Sequence, residues 1–229
     1  MKIKKLGIFD SGLGGYSVYH ELMNSGPKIE YVLYSEQKNA PYGNKETKEI
    51  IAYVQEAMTW FKKNEIYHVL LACNTASAVA LKTIQEENPE MTIWGIIDLT
   101  LNQIKEEDAS IAVVSTLATY NSHAYQKAWK QKENIKEYPL VHLVDYIENL
   151  ADKTVINDYI KNESLKMEET KYLILACTHY PLVKQQFANN FDAEIIDSLI
   201  AIKQHVYEFA CLDCNENYKS RVYTSGDLK

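Results

Sequence analysis

Two cysteines stand in matching surroundings: Cys73 is followed by Asn74 and Thr75, and Cys177 by Thr178 and His179. Each comes directly after a short apolar run and precedes a stretch where a helix is expected to start. A thiol at a helix N-terminus has its thiolate favoured by the dipole and by unpaired backbone N–H groups, which raises its reactivity. Either cysteine alone reads more simply as a small buried side chain. Their paired placement argues for chemistry. Two thiols opposed across one bound carbon can remove a proton from one face and return one to the other, which a single thiol cannot do. His179 is spaced to hold or take the proton of Cys177, and Asp10 could do the same for Cys73 if the first strand lies beside the third.

Asp10-Ser11-Gly12-Leu13-Gly14-Gly15 follows the first apolar run, so its N–H groups can face an anion, a carboxylate as well as a phosphate. A plain strand-to-helix turn explains the loop equally well, and it matches neither the dinucleotide nor the Walker pattern. Asn39-Ala40-Pro41-Tyr42-Gly43 is a loop by its Pro and Gly, able to close over a ligand or merely to connect. Cys211-Leu-Asp-Cys214 is a lone C-x-x-C, read as helix-face cysteines; without a second ligand pair no metal site is expected.

The elements that must position these residues alternate. Runs rich in Val, Ile, Leu and Tyr at 4–9, 30–34, 68–72 and 92–97 read as buried strands, separated by helical stretches such as 50–61 behind an Asn44 cap and 76–87. The rhythm restarts at 110–115, 139–144, 171–176 and 194–196, and a last helix opened by Ser198 carries Leu199, Ile202, Val206 and Phe209 on one face. Such alternation predicts parallel sheets flanked by helices. The halves also align as a weak duplication: GIFDS at 7–11 with AVVST at 112–116, Tyr34-Ser35-Glu36 with Leu143-Val144-Asp145, and HVLLACNT at 68–75 with YLILACT at 172–178. Each half then places polar side chains and a thiol past the C-terminal ends of its strands, where open parallel sheets bind ligands. Two such half-sites facing each other would enclose one small molecule.

Length and composition narrow the setting. The 229 residues suit one large or two small domains, and 46% hydrophobic with 24% charged residues is enough for a real core. A net charge of −7 argues against sequence-independent nucleic-acid binding. No apolar run approaches the roughly 18 to 20 residues of a membrane helix, and the N-terminal run is too short for a secretory signal. A cytoplasmic protein with its cysteines as thiols is expected. The 17 tyrosines suit an oligomer interface without placing one.

With these residues in view, the blocks Gly7-Ile-Phe-Asp-Ser-Gly-Leu-Gly-Gly, Ala40-Pro-Tyr-Gly, Ala72-Cys-Asn-Thr-Ala-Ser-Ala, 116–125 and Ala176-Cys-Thr-His-Tyr-Pro-Leu resemble the glutamate racemase family, in its order, across 7–198. The resemblance implies a cofactor-independent isomerase that interconverts L- and D-glutamate for peptidoglycan. It implies two pseudo-symmetric α/β domains, each with a mainly parallel central sheet, with the active site between them and a homodimer as the assembly. The chain would cross between domains near Ile97 and return near Ser198, giving a discontinuous first domain of 1–97 plus 199–229 and a second of 98–198. Carried over by motif, Cys73 would act on the D-enantiomer and Cys177 on the L-enantiomer, helped by Asp10 and His179 respectively. Ser11, Pro41, Tyr42, Gly43, Asn74, Thr75, Thr116, Thr119 and Thr178 would hold the substrate with Asp10 and His179, and Glu36 and Asp145 are candidate supporting acids.

The chain departs from the family pattern at several acids. Ser35-Glu36 replaces a Gly-Asp, Asp145 stands where a Glu is usual, Asp98-Leu99 replaces a Glu-Pro, and Tyr138-Pro139 a Cys-Pro. These changes leave open a racemase for aspartate or another acidic amino acid. A different class, a catalytically weak member acting on a protein partner, is the remaining alternative.

Overall fold

In a computed structural model, which describes residues 2–211 and 218–226, two parallel sheets stand one in each half of the chain. The first contains β1 (Lys5–Asp10), β2 (Glu30–Ser35), β3 (His68–Leu71) and β4 (Thr92–Gly95). The second contains β5 (Ile111–Ser115), β6 (Ile135–Pro139), β7 (Tyr172–Ala176) and β8 (Glu194–Ile196). A last strand, β9 (Arg221–Thr224), joins the first sheet. The orders are β4-β3-β1-β2-β9 and β6-β5-β7-β8, so the second repeats the first with β9 left over.

The registers repeat as well. Gly7 lies opposite Val69 as Ala112 lies opposite Leu173, and the Glu36 N–H donates to Asp10 O as the Leu140 N–H does to Ser115 O, both at 2.8 Å. Alternate residues of each strand feed different cores. Phe9, Val32, Tyr34, Val69 and Leu71 pack on one face of the first sheet, and Leu6, Ile8, Tyr31, Leu33 and Leu70 on the other. In the second sheet Ala112, Val114, Leu173 and Leu175 oppose Ile111, Val113, Tyr172 and Ile174. Two covered faces explain why these strands read as continuous apolar runs.

Helix Thr47–Lys63 buries Ile50, Val54, Ala57, Met58 and Phe61 on one stripe. Its cap is Glu46 rather than Asn44: Glu46 and Glu49 bond each other's backbone N–H groups, satisfying two donors that the helix leaves free. The stretch expected as one helix over 76–87 is two, Asn74–Val79 and Leu81–Glu87, which meet at Ala80. The final helix, Ser198–Phe209, is capped by Asp197 and packs Ile202 and Val206 into the first sheet's core.

Two expectations fail in the second half and its tail. Residues 139–144 are not a strand: β6 ends at Pro139, and helix Leu143–Glu148 follows with Leu143, Val144 and Ile147 buried. A short apolar run does not by itself separate strand from helix. Cys211 is disulfide-bonded rather than a thiol, and Cys214 lies outside the described residues. Among the described residues no helix is long and apolar enough to cross a membrane.

Candidate active site

The C-terminal strand ends of both sheets meet around one cavity. Its wall includes Ser11, Tyr42, Cys73, Asn74 and Thr75 from the first half, and Thr116, Glu148, Cys177, Thr178 and His179 from the second. Pro41 and Gly43 also line the first wall, and Leu140, Val144 and Asp145 the second.

Cys73 follows β3 and caps helix Asn74–Val79, accepting from the Ala76 N–H at 3.5 Å. Its sulfur also meets Ser11 Oγ at 3.1 Å. The expected helix effect is present but outweighed: burial and the Asp10 charge push the Cys73 thiol up to about 12. Cys73 is therefore a neutral thiol at neutral pH.

Asp10 ends β1, beside β3 as the sequence argument required. It does not bond Cys73 but points across the half-site boundary: Oδ1 accepts from the Gly12 N–H at 3.0 Å and Oδ2 from Thr178 Oγ1 at 3.1 Å. Full burial raises its carboxyl to about 6, against the opposing pull of His179 and of these hydrogen bonds. Gly14 permits this approach of the halves, because a Cβ there would strike Thr178 and come within 2.8 Å of His179 Nδ1.

Cys177 follows β7, and what starts beyond it is a short 3-10 turn, Tyr180–Val183, rather than an α-helix directly capped by the thiol. Its sulfur lies 3.7 Å from His179 Nδ1, and His179 Nε2 lies 2.8 Å from Glu148 Oε1. Burial disfavours charge on the ring, yet the hydrogen bonds with Cys177 and Glu148 and the Asp10 charge lift His179 to about 10. An imidazolium thus sits between the Cys177 sulfur and the Glu148 side chain.

Hydroxyls tie the walls together. Thr75 Oγ1 meets Thr116 Oγ1 at 2.9 Å, and Thr119 Oγ1 closes the triangle at 3.1 Å from Thr116 and 3.4 Å from Thr75. Thr119 and Asp10 lie behind the lining, whereas the other expected substrate contacts are on it. Asn74 accepts from Tyr125 Oη at its Oδ1, while its buried Nδ2 has no partner among the described residues. A free amide donor at the wall is suited to a carboxylate.

The supporting acids are redistributed. The backbone register equates Glu36 with Leu140, so the sequence pairing of Glu36 with Asp145 fails. Glu36 is buried behind Tyr42 and is not on the lining, and Asp98 is an exposed residue of helix Ile97–Leu101, also off it. Asp145 reaches the wall, but the acid that bonds His179 is Glu148, which the sequence reading missed. The available signal was its position one helical turn after Asp145, on the same face.

The chain matches the family described as Asp/Glu/Hydantoin racemase over residues 18–206. It is 34% identical to a glutamate racemase of Fusobacterium nucleatum over 218 residues, covering 90% of this chain and 81% of that one. To a glutamate racemase of Aquifex aeolicus it is also 34% identical, over 90% of this chain and 83% of that one. A crystal structure of glutamate racemase from Campylobacter jejuni superposes with a TM-score of 0.89 at 30% identity, covering 97% of this chain and 93% of that one.

Proposed function

The chain belongs to the Asp/Glu/Hydantoin racemase family, and we propose that within it the protein interconverts L- and D-glutamate by a cofactor-independent two-thiol mechanism, supplying D-glutamate for peptidoglycan. The observation that carries this reading is one cavity lined by two free, buried cysteines, one from each sheet. The relatives' names support glutamate as substrate. Of the three altered acids that left aspartate open, Glu36 and Asp98 lie off the cavity.

In the L-to-D direction, Cys177 reacts as the thiolate paired with the His179 imidazolium: its sulfur takes the α-proton to become a thiol, and the electron pair stays on the α-carbon, delocalised into the carboxylate. The Cys73 thiol then gives its proton to the other face. The reverse direction exchanges the roles. His179, held charged by Glu148, answers the changing charge on Cys177. Ser11 holds the Cys73 sulfur, and Asp10 acts on that thiol through its charge. Ser11, Asn74, Thr75, Thr116 and Thr178, with Pro41, Tyr42 and Gly43 shaping the wall, receive the substrate's carboxylates and ammonium. Thr119 fixes the hydroxyls from behind. The same reading divides the chain into 1–97 plus 199–229 and 98–198, and makes the protein a cytoplasmic homodimer.

The test is proton NMR of each glutamate enantiomer and of aspartate in deuterated water, together with optical rotation. Loss of the α-proton signal and of rotation with glutamate alone is expected. Faster turnover of aspartate, judged by kcat/KM, would replace the substrate. No exchange from folded protein with reduced thiols would overturn the enzyme reading and leave the partner-binding alternative.

A further inference from the structure

Glu36 is 3% exposed and accepts hydrogen bonds from three side chains: Tyr42 Oη at 3.1 Å, Asn39 Nδ2 at 3.2 Å and Ser225 Oγ at 2.6 Å. Two of these donors belong to the loop that shapes the cavity, since Tyr42 lines it between Pro41 and Gly43. The third comes from far along the chain. Ser225 directly follows β9, which pairs in parallel with β2 from Val32↔Arg221 to Ser35↔Thr224. Its N–H donates to Ser35 O at 3.0 Å, and its hydroxyl accepts from the Lys38 N–H at 3.4 Å while donating to Glu36.

The strand that carries Ser225 is held by aromatic packing. The Tyr223 ring lies 4.9 Å from Tyr34 and 4.7 Å from Trp60. Burial and the Glu36 charge raise the Tyr42 phenol far beyond its ordinary range, so it remains a neutral O–H donor. Among the described residues the second half has no counterpart to this arrangement: its sheet ends at β6, and Leu140 stands where the first half has Glu36.

We propose that Ser225, carried by β9, is a positioning residue for the substrate loop: its hydroxyl orients Glu36, Glu36 fixes the Tyr42 phenol, and the wall formed by 41–43 is thereby set. The C-terminal strand is then a strap on the active site as well as an edge of the sheet. Its kinetic consequence rests on the glutamate racemisation proposed above; its structural consequence does not.

The experiment uses the full chain. Ser225→Ala should raise KM for glutamate roughly five- to tenfold, the scale of one lost ordinary hydrogen bond felt through Glu36, with kcat within about twofold. Backbone amides of residues 38–43 should exchange faster with deuterated water, and Ser225→Thr, which keeps the hydroxyl, should restore both. In a Tyr42→Phe background Ser225→Ala should add little, because both changes break one chain of contacts. An unchanged KM, or an effect fully additive with Tyr42→Phe, overturns the proposal. So does a lowered Tm with unchanged exchange at 38–43, which marks a merely structural serine. Failure of the native protein to turn over glutamate would sink the substrate reading, while exchange at 38–43 would still decide the strap.

Discussion

The two half-sites share a backbone plan and differ in how each thiol is attended. Cys73 and Cys177 both stand just past the third strand of their sheet, yet Cys73 is met by a hydroxyl and a backbone N–H, and Cys177 by an imidazole backed by a carboxylate. The first environment holds a neutral thiol; the second places a cation beside the sulfur. Repeating topology therefore fixed where the sulfurs stand, and the loops after the strands gave them different surroundings. A pair of acid–base groups serving the two faces of one carbon needs such a difference, because one must start as donor while the other accepts.

The strongest way to break this comparison is to remove either sulfur. Cys73→Ala and Cys177→Ala should each lower racemisation by roughly 10³-fold or more, measured by chiral chromatography. Full turnover surviving either change would end the two-thiol account. Substantial exchange of the α-proton without inversion, confined to one enantiomer in each variant, would sharpen it by showing which face each thiol serves.

Next in size is the relay behind Cys177. Glu148→Gln removes a carboxylate that holds the proton on His179, so the imidazolium should be lost at lower pH than in the native protein, where it persists to about 10. The alkaline limb of kcat/KM should move toward neutrality, with a fall of roughly tenfold at pH 8. An unmoved limb would mean that His179 does not depend on Glu148.

Asp10 offers a stability readout of the opposite half. Its folded pKa, about 6, lies above the ordinary 3.8, so the native state favours the neutral carboxyl. That contribution is full below the unfolded value and is lost as pH rises through about 6. At neutral pH the buried charge costs roughly 2–3 kcal/mol. Asp10→Asn should therefore raise Tm at pH 7 by roughly 5 °C while lowering activity, and the gain should vanish near pH 4. A lower Tm at pH 7 would show that Asp10 is held mainly by its partners.

Much of this was legible in the sequence. The thiols, Asp10, His179 and the threonines stand at strand ends, and buried parallel strands announce themselves as apolar runs with polar residues at their tips. What escaped depends on register and on distant chain. Glu36 and Asp145 look equivalent as acids after apolar runs, yet only the hydrogen-bonded register shows that Leu140 is the counterpart of Glu36. Glu148 escaped because 139–144 reads as a strand, which hides the helix that turns this side chain toward His179. β9 is four residues of mixed polarity, whose place beside β2 follows from tertiary packing on Tyr34 and Trp60.

The smallest expected effect separates the acid that spacing suggested from the one that geometry selects. Asp145 and Glu148 lie one turn apart on helix Leu143–Glu148, and both line the cavity, but Asp145 is solvent-exposed and of these two acids it is Glu148 that bonds His179. An exposed charge is screened, and this one would repel a dicarboxylate at the mouth. Asp145→Asn should thus leave the alkaline limb of kcat/KM in place and lower KM for glutamate by no more than about twofold, an effect that fades with added salt. The discriminating measurement is the pH profile of Asp145→Asn beside that of Glu148→Gln. If the limb moved in the first and not in the second, Asp145 would be the acid supporting His179, and the difference between the half-sites would have to be redrawn around it.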